Sequence, residues 1–171
     1  LSSLVVGIDP GMRGALVAVE GGEFIASLMM PFSGAMLVDA EVIDWLSELD
    51  VALVVLERQQ AFPRQGVSST FTTGFRYGQL YGMISTLRLA MATPRPADWM
   101  KVMLEKTDDE DVDPLKGKER AISRVKELLP ALNLTPGRHR KPHDGLADAG
   151  LLALYGERML ADPRHLGGIR I

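Results

Sequence analysis

The sequence predicts an α/β domain, a mixed five-stranded sheet flanked by helices. Two strongly apolar segments, Val5-Val-Gly-Ile8 and Val51-Ala-Leu-Val-Val-Leu56, read as strands covered on both faces. The segments between and after them repeat apolar residues at helical spacing. Both strands also stop on a carboxylate, Asp9 and Glu57. After Asp9 the strand cannot continue, because Pro10 lacks the donor a ladder needs and Gly11 tolerates positive φ. The carboxyl ends of strands in open α/β sheets border the ligand crevice, so these two acids are the first candidate functional residues.

The elements follow in order. Residues 15–19 form a second strand, Gly21-Gly22 a tight hairpin and residues 24–30 the returning strand, so the chain opens as a three-strand meander. Val38, Val42, Ile43, Leu46 and Leu49 mark an amphipathic helix over 38–49. After the strand at 51–56 comes a polar loop, then a helix over 70–91 that carries Gly74, Gly78 and Gly82. Each interior glycine costs about 1 kcal/mol relative to alanine. Three on one face imply close packing on the sheet or on a partner. A last short strand is expected at 92–96 and a short helix at 97–104. A basic amphipathic helix at 117–129 and a final helix at 143–159 complete the order. The run Asp108–Asp113 reads as a solvated loop, since it lacks the ligand spacing of a calcium loop. Residues 1–160 are expected as one domain and 161–171 as a loose tail.

Composition narrows the function classes. The chain has 171 residues, 46% hydrophobic and 24% charged, which is the make-up of an ordinary globular protein. With no apolar run near membrane length and no secretory leader pattern, no membrane partner is expected. The lack of cysteine excludes disulfides, thiolate zinc sites and a cysteine nucleophile, and fits a reducing compartment, hence a cytoplasmic location. Net charge is −3, but unevenly spread. Residues 1–56 carry Arg13 alone against eight acids, whereas residues 116–141 carry eight Lys or Arg against Glu119 and Glu127. Such asymmetry permits a local polyanion-binding face on an acidic protein.

The final helix adds Asp144 and Asp148, four apart and so on one helical face. Four carboxylates drawn from three elements repel one another and resist ionisation unless cations sit among them. Hard oxygen ligands without sulfur select Mg²⁺, with Mn²⁺ as a substitute. Two such ions clamp the attacking and leaving oxygens of a phosphodiester displacement.

These residues also carry a family resemblance. Ile8-Asp9-Pro10-Gly11 with Gly14, Glu57 after its strand, and His143-Asp144-Gly-Leu-Ala-Asp148-Ala149 resemble the RuvC family of Holliday-junction resolvases. Phe62-Pro-Arg-Gln-Gly66 through Ser69, Gly74 and Tyr77-Gly78 is similar to its phage-type members, as is Pro96 with Trp99 and Lys101, followed by Lys118-Glu119. The resemblance spans roughly residues 4–156. It implies a ribonuclease-H-like fold, a catalytic metal set of Asp9, Glu57, Asp144 and Asp148, and a homodimer that cuts two strands of a four-way DNA junction. It also implies Lys118 beside the scissile phosphate. In bacterial members the last two acids are commonly three apart, whereas here they are four apart. That leaves Asp144 and its neighbour His143 as alternatives for the third position.

Arg58, Arg64, Arg76, Lys101 and Lys116 are candidate phosphate contacts. Phe62, in a polar loop just past Glu57, is either a stacking wedge at the junction centre or a core residue. Rival readings are a broader branched-DNA or RNA–DNA hybrid nuclease of the same fold, and a junction-binding protein without catalysis. A further rival is an actin-like ATPase fragment, since Asp9-Pro-Gly-Met-Arg-Gly14 is also similar to that superfamily's first phosphate loop.

Overall fold

The computed structural model describes residues 3–61, 63–104, 114–162 and 169–170, with backbone alone for 114–116 and 169–170. Phe62, the acidic run 108–113, His165, the Lys116 side chain and most of the expected tail lie outside the described residues.

The chain opens with β1 (Leu4–Asp9), β2 (Ala15–Glu20) and β3 (Glu23–Met29), the expected antiparallel meander. Gly21 and Gly22 turn its second corner at φ 60° and 81°, a conformation that glycine adopts without a steric penalty. A small hairpin not foreseen in the sequence, β4 (Phe32–Ser33) with β5 (Met36–Leu37), leads into α1 (Asp39–Ser47). Next come β6 (Val51–Leu56), α2 (Val67–Thr86), β7 (Met91–Ala92) and α3 (Pro96–Met103). After them follow α4 (Pro114–Leu128), α5 (Asp144–Ala161) and β8 (Ile169–Arg170).

The main sheet runs β3-β2-β1-β6-β7-β8, with β6 parallel to β1 and β7 parallel to β6. Its body is the expected five-stranded mixed sheet. The sixth strand is two residues from the segment expected to be loose, paired antiparallel to β7. The helix expected over 70–91 starts earlier and ends at Thr86, where Arg88 takes a left-handed backbone at φ 56°. Leu89 to Ala92 is continuously apolar, a run that helical and strand readings share, and sheet pairing claims its end.

Side-chain alternation divides the core in two. Val5, Val17, Leu53 and Val55 face α3, α4 and α5, whereas Val6, Leu16, Val54 and Leu56 face α1 and α2. Both faces of the central strands are therefore buried, which explains their unbroken apolar character. Among the described residues no helix is long and apolar enough to cross a membrane.

The helix α5 lies very close on β1. A β-carbon at Gly7 would collide with the Ala149 carbonyl and the Ala153 amide, so helix backbone occupies the space of a side chain. Gly145 repeats this at the helix start against the backbone of Arg13 and Gly14. The glycines of α2 do the opposite. A β-carbon at Gly74, Gly78 or Gly82 would meet nothing within 4 Å, so among the described residues the strip packs on neither the sheet nor a neighbouring helix. Gly7→Ala should therefore cost at least about 2 kcal/mol in urea unfolding, whereas Gly78→Ala should be neutral or stabilising for the chain as a monomer. An unchanged midpoint for Gly7→Ala would show that α5 has room to lift.

Candidate active site

Asp9 is the last residue of β1, and the register places Glu57 beside it. Ile8 pairs with Leu56 across the parallel strands, and the Glu57 N–H donates to the Ile8 carbonyl at 3.1 Å. Strand alternation then sends both side chains to the face that carries Val5, Leu53 and Val55, which is the α5 face. On α5, Asp148 directly precedes Ala149, the residue seated over Gly7, and Asp144 lies one turn earlier. The sheet and one helix thus bring four acids from distant sequence to one end of the fold.

Each acid keeps some exposed surface, but the surroundings are apolar enough to disturb ionisation. Burial raises the Asp9 carboxyl, partly offset by the Gly11 N–H that donates to Oδ1 at 3.0 Å and reinforced by the charge of Asp144. Burial and then Asp9 push Glu57 up to about 7. Asp148 is raised well above its ordinary value by burial, followed by repulsion from Asp9, Glu57 and Asp144. This is the resistance to ionisation expected of acids that are buried and clustered together.

Asp144 is the exception. Burial would raise it, but Lys118 of α4 donates to Oδ2 at 2.7 Å, Arg13 stands 3.8 Å from Oδ1, and the net effect is a lowered carboxyl. That pairing raises Lys118 in turn. Asp144 Oδ1 is buried with no hydrogen-bond partner. The donor set is wholly carboxylate oxygen and includes an orphaned buried atom, so it suits a hard divalent cation. Among the described residues no three acids or imidazoles stand around a single point. Several of their oxygens instead hold donors of the protein itself.

His143 sits at the N-cap of α5. Its ring is buried, Nδ1 accepts from the Leu146 N–H at 3.2 Å, and the His139 ring meets it edge-on at 5.5 Å. Burial lowers its pKa, so the imidazole is held neutral as a helix cap.

Three further partners were not assigned roles from the sequence. The Trp99 indole N–H donates to Glu57 Oε1 at 2.9 Å, and Gln59 Nε2 donates to Oε2 at 3.2 Å. Arg13 stood out only as the lone cation of an acidic segment. The available signal for Trp99 was that a buried indole needs an acceptor, and Glu57 ends the strand two positions before Gln59.

The candidate DNA contacts are dispersed. Arg58 and Arg64 are exposed on the loop after β6, and Arg58 Nη2 donates to Thr93 Oγ1 at 3.2 Å. Lys101 is exposed on α3. Arg76 lies on the opposite face of the sheet, its guanidinium 5.0 Å from the Phe32 ring centre and donating to the Ala35 carbonyl.

The sequence matches no protein-family model and no curated protein. Its structure is similar to Thermus thermophilus RuvC, with a TM-score of 0.65 at 19% identity over 98% of each chain. The fold is that of RuvC. Thermus thermophilus RuvC in complex with a Holliday-junction substrate matches with a TM-score of 0.63, again at 19% identity, over 89% of this chain and 90% of that one. A fowlpox virus resolvase, solved with its substrate Holliday-junction DNA, matches at 0.54 and 13% identity over 93% and 99%. The expected ribonuclease-H-like architecture is therefore present.

The Glu57 shift has a definite sign. An acid raised from 4.5 to about 7 on folding lends full stability below pH 4.5, and that contribution disappears as pH rises through 7. In chelator-treated protein, wild type should lose on the order of 2 kcal/mol relative to Glu57→Gln across that window, several degrees in Tm. A difference between the two proteins that stays flat with pH would show that Glu57 titrates normally.

Proposed function

We propose that this protein is a divalent-metal-dependent endonuclease that resolves four-way DNA junctions. The observation that carries the reading is the parallel register that stands Asp9 beside Glu57 beneath the helix bearing Asp148 and Asp144. Asp9, Glu57, Asp148 and Asp144 would hold Mg²⁺, or Mn²⁺ in its place. When bound, such ions polarise the scissile phosphate and lower the pKa of an attacking water. The chain's own residues then do the rest. Lys118 places an exposed ammonium at the rim of the carboxylate set, where it can neutralise charge developing on a phosphate oxygen. The exposed cations Arg58, Arg64 and Lys101, with Lys116, hold the flanking backbone, and Phe62 meets the bases. Acting on DNA, the protein works in the cytoplasm, the host's if phage-encoded.

The functional unit on this reading is a homodimer. Val67, Phe71 and Phe75 are exposed on α2, at 88%, 72% and 49%, on the outward side that also carries its three glycines. Beside them a cavity of about 210 Å³ opens against Met36 and Leu37. Such a patch suits an isologous contact, which sets two carboxylate sites on opposed strands.

The test is incubation of labelled four-way junction, duplex, flap and RNA–DNA hybrid, each with and without Mg²⁺. Paired nicks in the junction, dependent on the cation, are expected. Asp9→Asn should abolish them while leaving junction binding intact or tighter, since a charge that repels phosphate is removed. Equal cleavage of duplex or hybrid, or full cleavage by Asp9→Asn, would overturn the reading.

The geometry also ranks the two neighbours at the start of α5. His143→Ala should cost about 1 kcal/mol of stability through the lost cap, with single-turnover cleavage near wild type. Asp144→Asn should slow that step by at least about 100-fold. The reverse ranking would move the third position to His143.

A further inference from the structure

Glu57 is gripped on both oxygens, by Trp99 on Oε1 and Gln59 on Oε2. Trp99 is wholly buried, and it sits in a helix of eight residues fastened at each end. At the N-terminus, Pro96 opens α3, and Asp98 accepts from Arg95 three times, from its backbone N–H at 3.2 Å and from its guanidinium at 2.8 and 2.9 Å. At the C-terminus, three successive carbonyls that helix geometry leaves without partners each receive a guanidinium. Arg158 of α5 donates to Val102 at 3.4 Å, Arg124 of α4 to Met103 at 3.2 Å, and Arg120 of α4 to Leu104 at 3.1 Å. The helix that delivers the indole is thus locked to α4, which carries Lys118, and to α5, which carries Asp144 and Asp148.

A buried indole could be satisfied by any backbone carbonyl, at no electrostatic consequence. Here it instead holds a carboxylate at the edge of a cluster of acids, on a mount that resists sliding and rotation. We propose that Trp99 is a positioning residue: its indole N–H holds one oxygen of Glu57 in place and thereby sets the affinity of the site for a divalent cation. The proposal rests on Glu57 being a cation ligand. Trp99 itself touches no reacting atom. Hydrogen-bond partners of metal-ligating carboxylates characteristically change metal affinity by 10- to 100-fold when removed.

The test removes the N–H without changing the packing. In a Trp45→Phe background, Trp99 is the sole tryptophan. Replacement by β-(3-benzothienyl)alanine then puts sulfur where the N–H was, in a ring system of nearly the same shape. Trp99→Phe serves as the genetically simple second variant. Mn²⁺ affinity is measured by calorimetry on the full chain, with Tm as the check on folding. The expected result is Mn²⁺ binding weakened about 10- to 100-fold at an unchanged Tm, with cleavage restored by excess Mn²⁺. Combined with Glu57→Ala, which removes the acceptor altogether, the replacement should bring no further loss, since the interaction is already gone. Undiminished Mn²⁺ affinity in the isostere, or losses that simply add, would overturn the proposal and leave Trp99 a packing residue. The junction reading fails separately. A protein that binds Mn²⁺ in a Trp99-dependent manner but leaves every junction uncut would end that reading and keep this one.

Discussion

The structure depends on one close contact, the backbone of α5 lying against Gly7 of β1. Only a residue without a side chain permits it, and the helix answers with Ala149, Ala153 and Gly145 at the points of contact. Because α5 comes so near, its first turns reach the strand ends and set Asp144 and Asp148 against Asp9 and Glu57. The same closeness screens the acids from much of the solvent. Burial is accordingly the leading cause of the raised ionisation of Asp9, Glu57 and Asp148. Packing energy thus holds together acids that would otherwise separate, and burial with mutual repulsion keeps them from ionising freely.

That resistance is unevenly distributed. Three acids resist ionisation, whereas Asp144 is neutralised by Lys118 and Arg13. The sheet separates charge on a larger scale as well. The basic helix α4 packs with α5 on the face of the carboxylates, while the acidic α1 lies behind the sheet with α2. A polyanion approaching the strand ends therefore meets the cations of one layer and is shielded by the sheet from the acids of the other. A net charge of −3 consequently says little about the potential at the site.

Much of this was legible in the residues. Continuous apolar strands ending on acids announced a doubly covered sheet with its chemistry at one end, and the four-residue spacing of Asp144 and Asp148 placed them on one helical face. What stayed hidden has physical reasons. The apolar run 89–92 suits helix and strand alike, so the end of α2 was read too late. The glycines of α2 looked like a packing strip, because sequence reports the absence of a side chain but not what lies opposite. The roles of Trp99, Gln59 and Arg13 arise from contacts across the fold, and pairing over such distances leaves no periodic trace. His143 stood beside Asp144 as an alternative for the third position, and nothing in the sequence showed that its ring nitrogen accepts from the Leu146 N–H.

The outward face of α2 follows from the same geometry. A helix of 20 residues with three interior glycines forgoes roughly 3 kcal/mol of helix propensity, and its exposed Val67, Phe71 and Phe75 add an apolar patch that water does not favour. Neither cost is offset within the chain among the described residues. Both are offset if a second copy packs there, since glycine lets helix backbones approach and the aromatic rings would be covered. The inner side of α2 rests on the sheet face opposite to that of Asp9 and Glu57. A partner seated on its outer side would therefore cover none of the carboxylates, leaving the strand ends of both copies open to DNA.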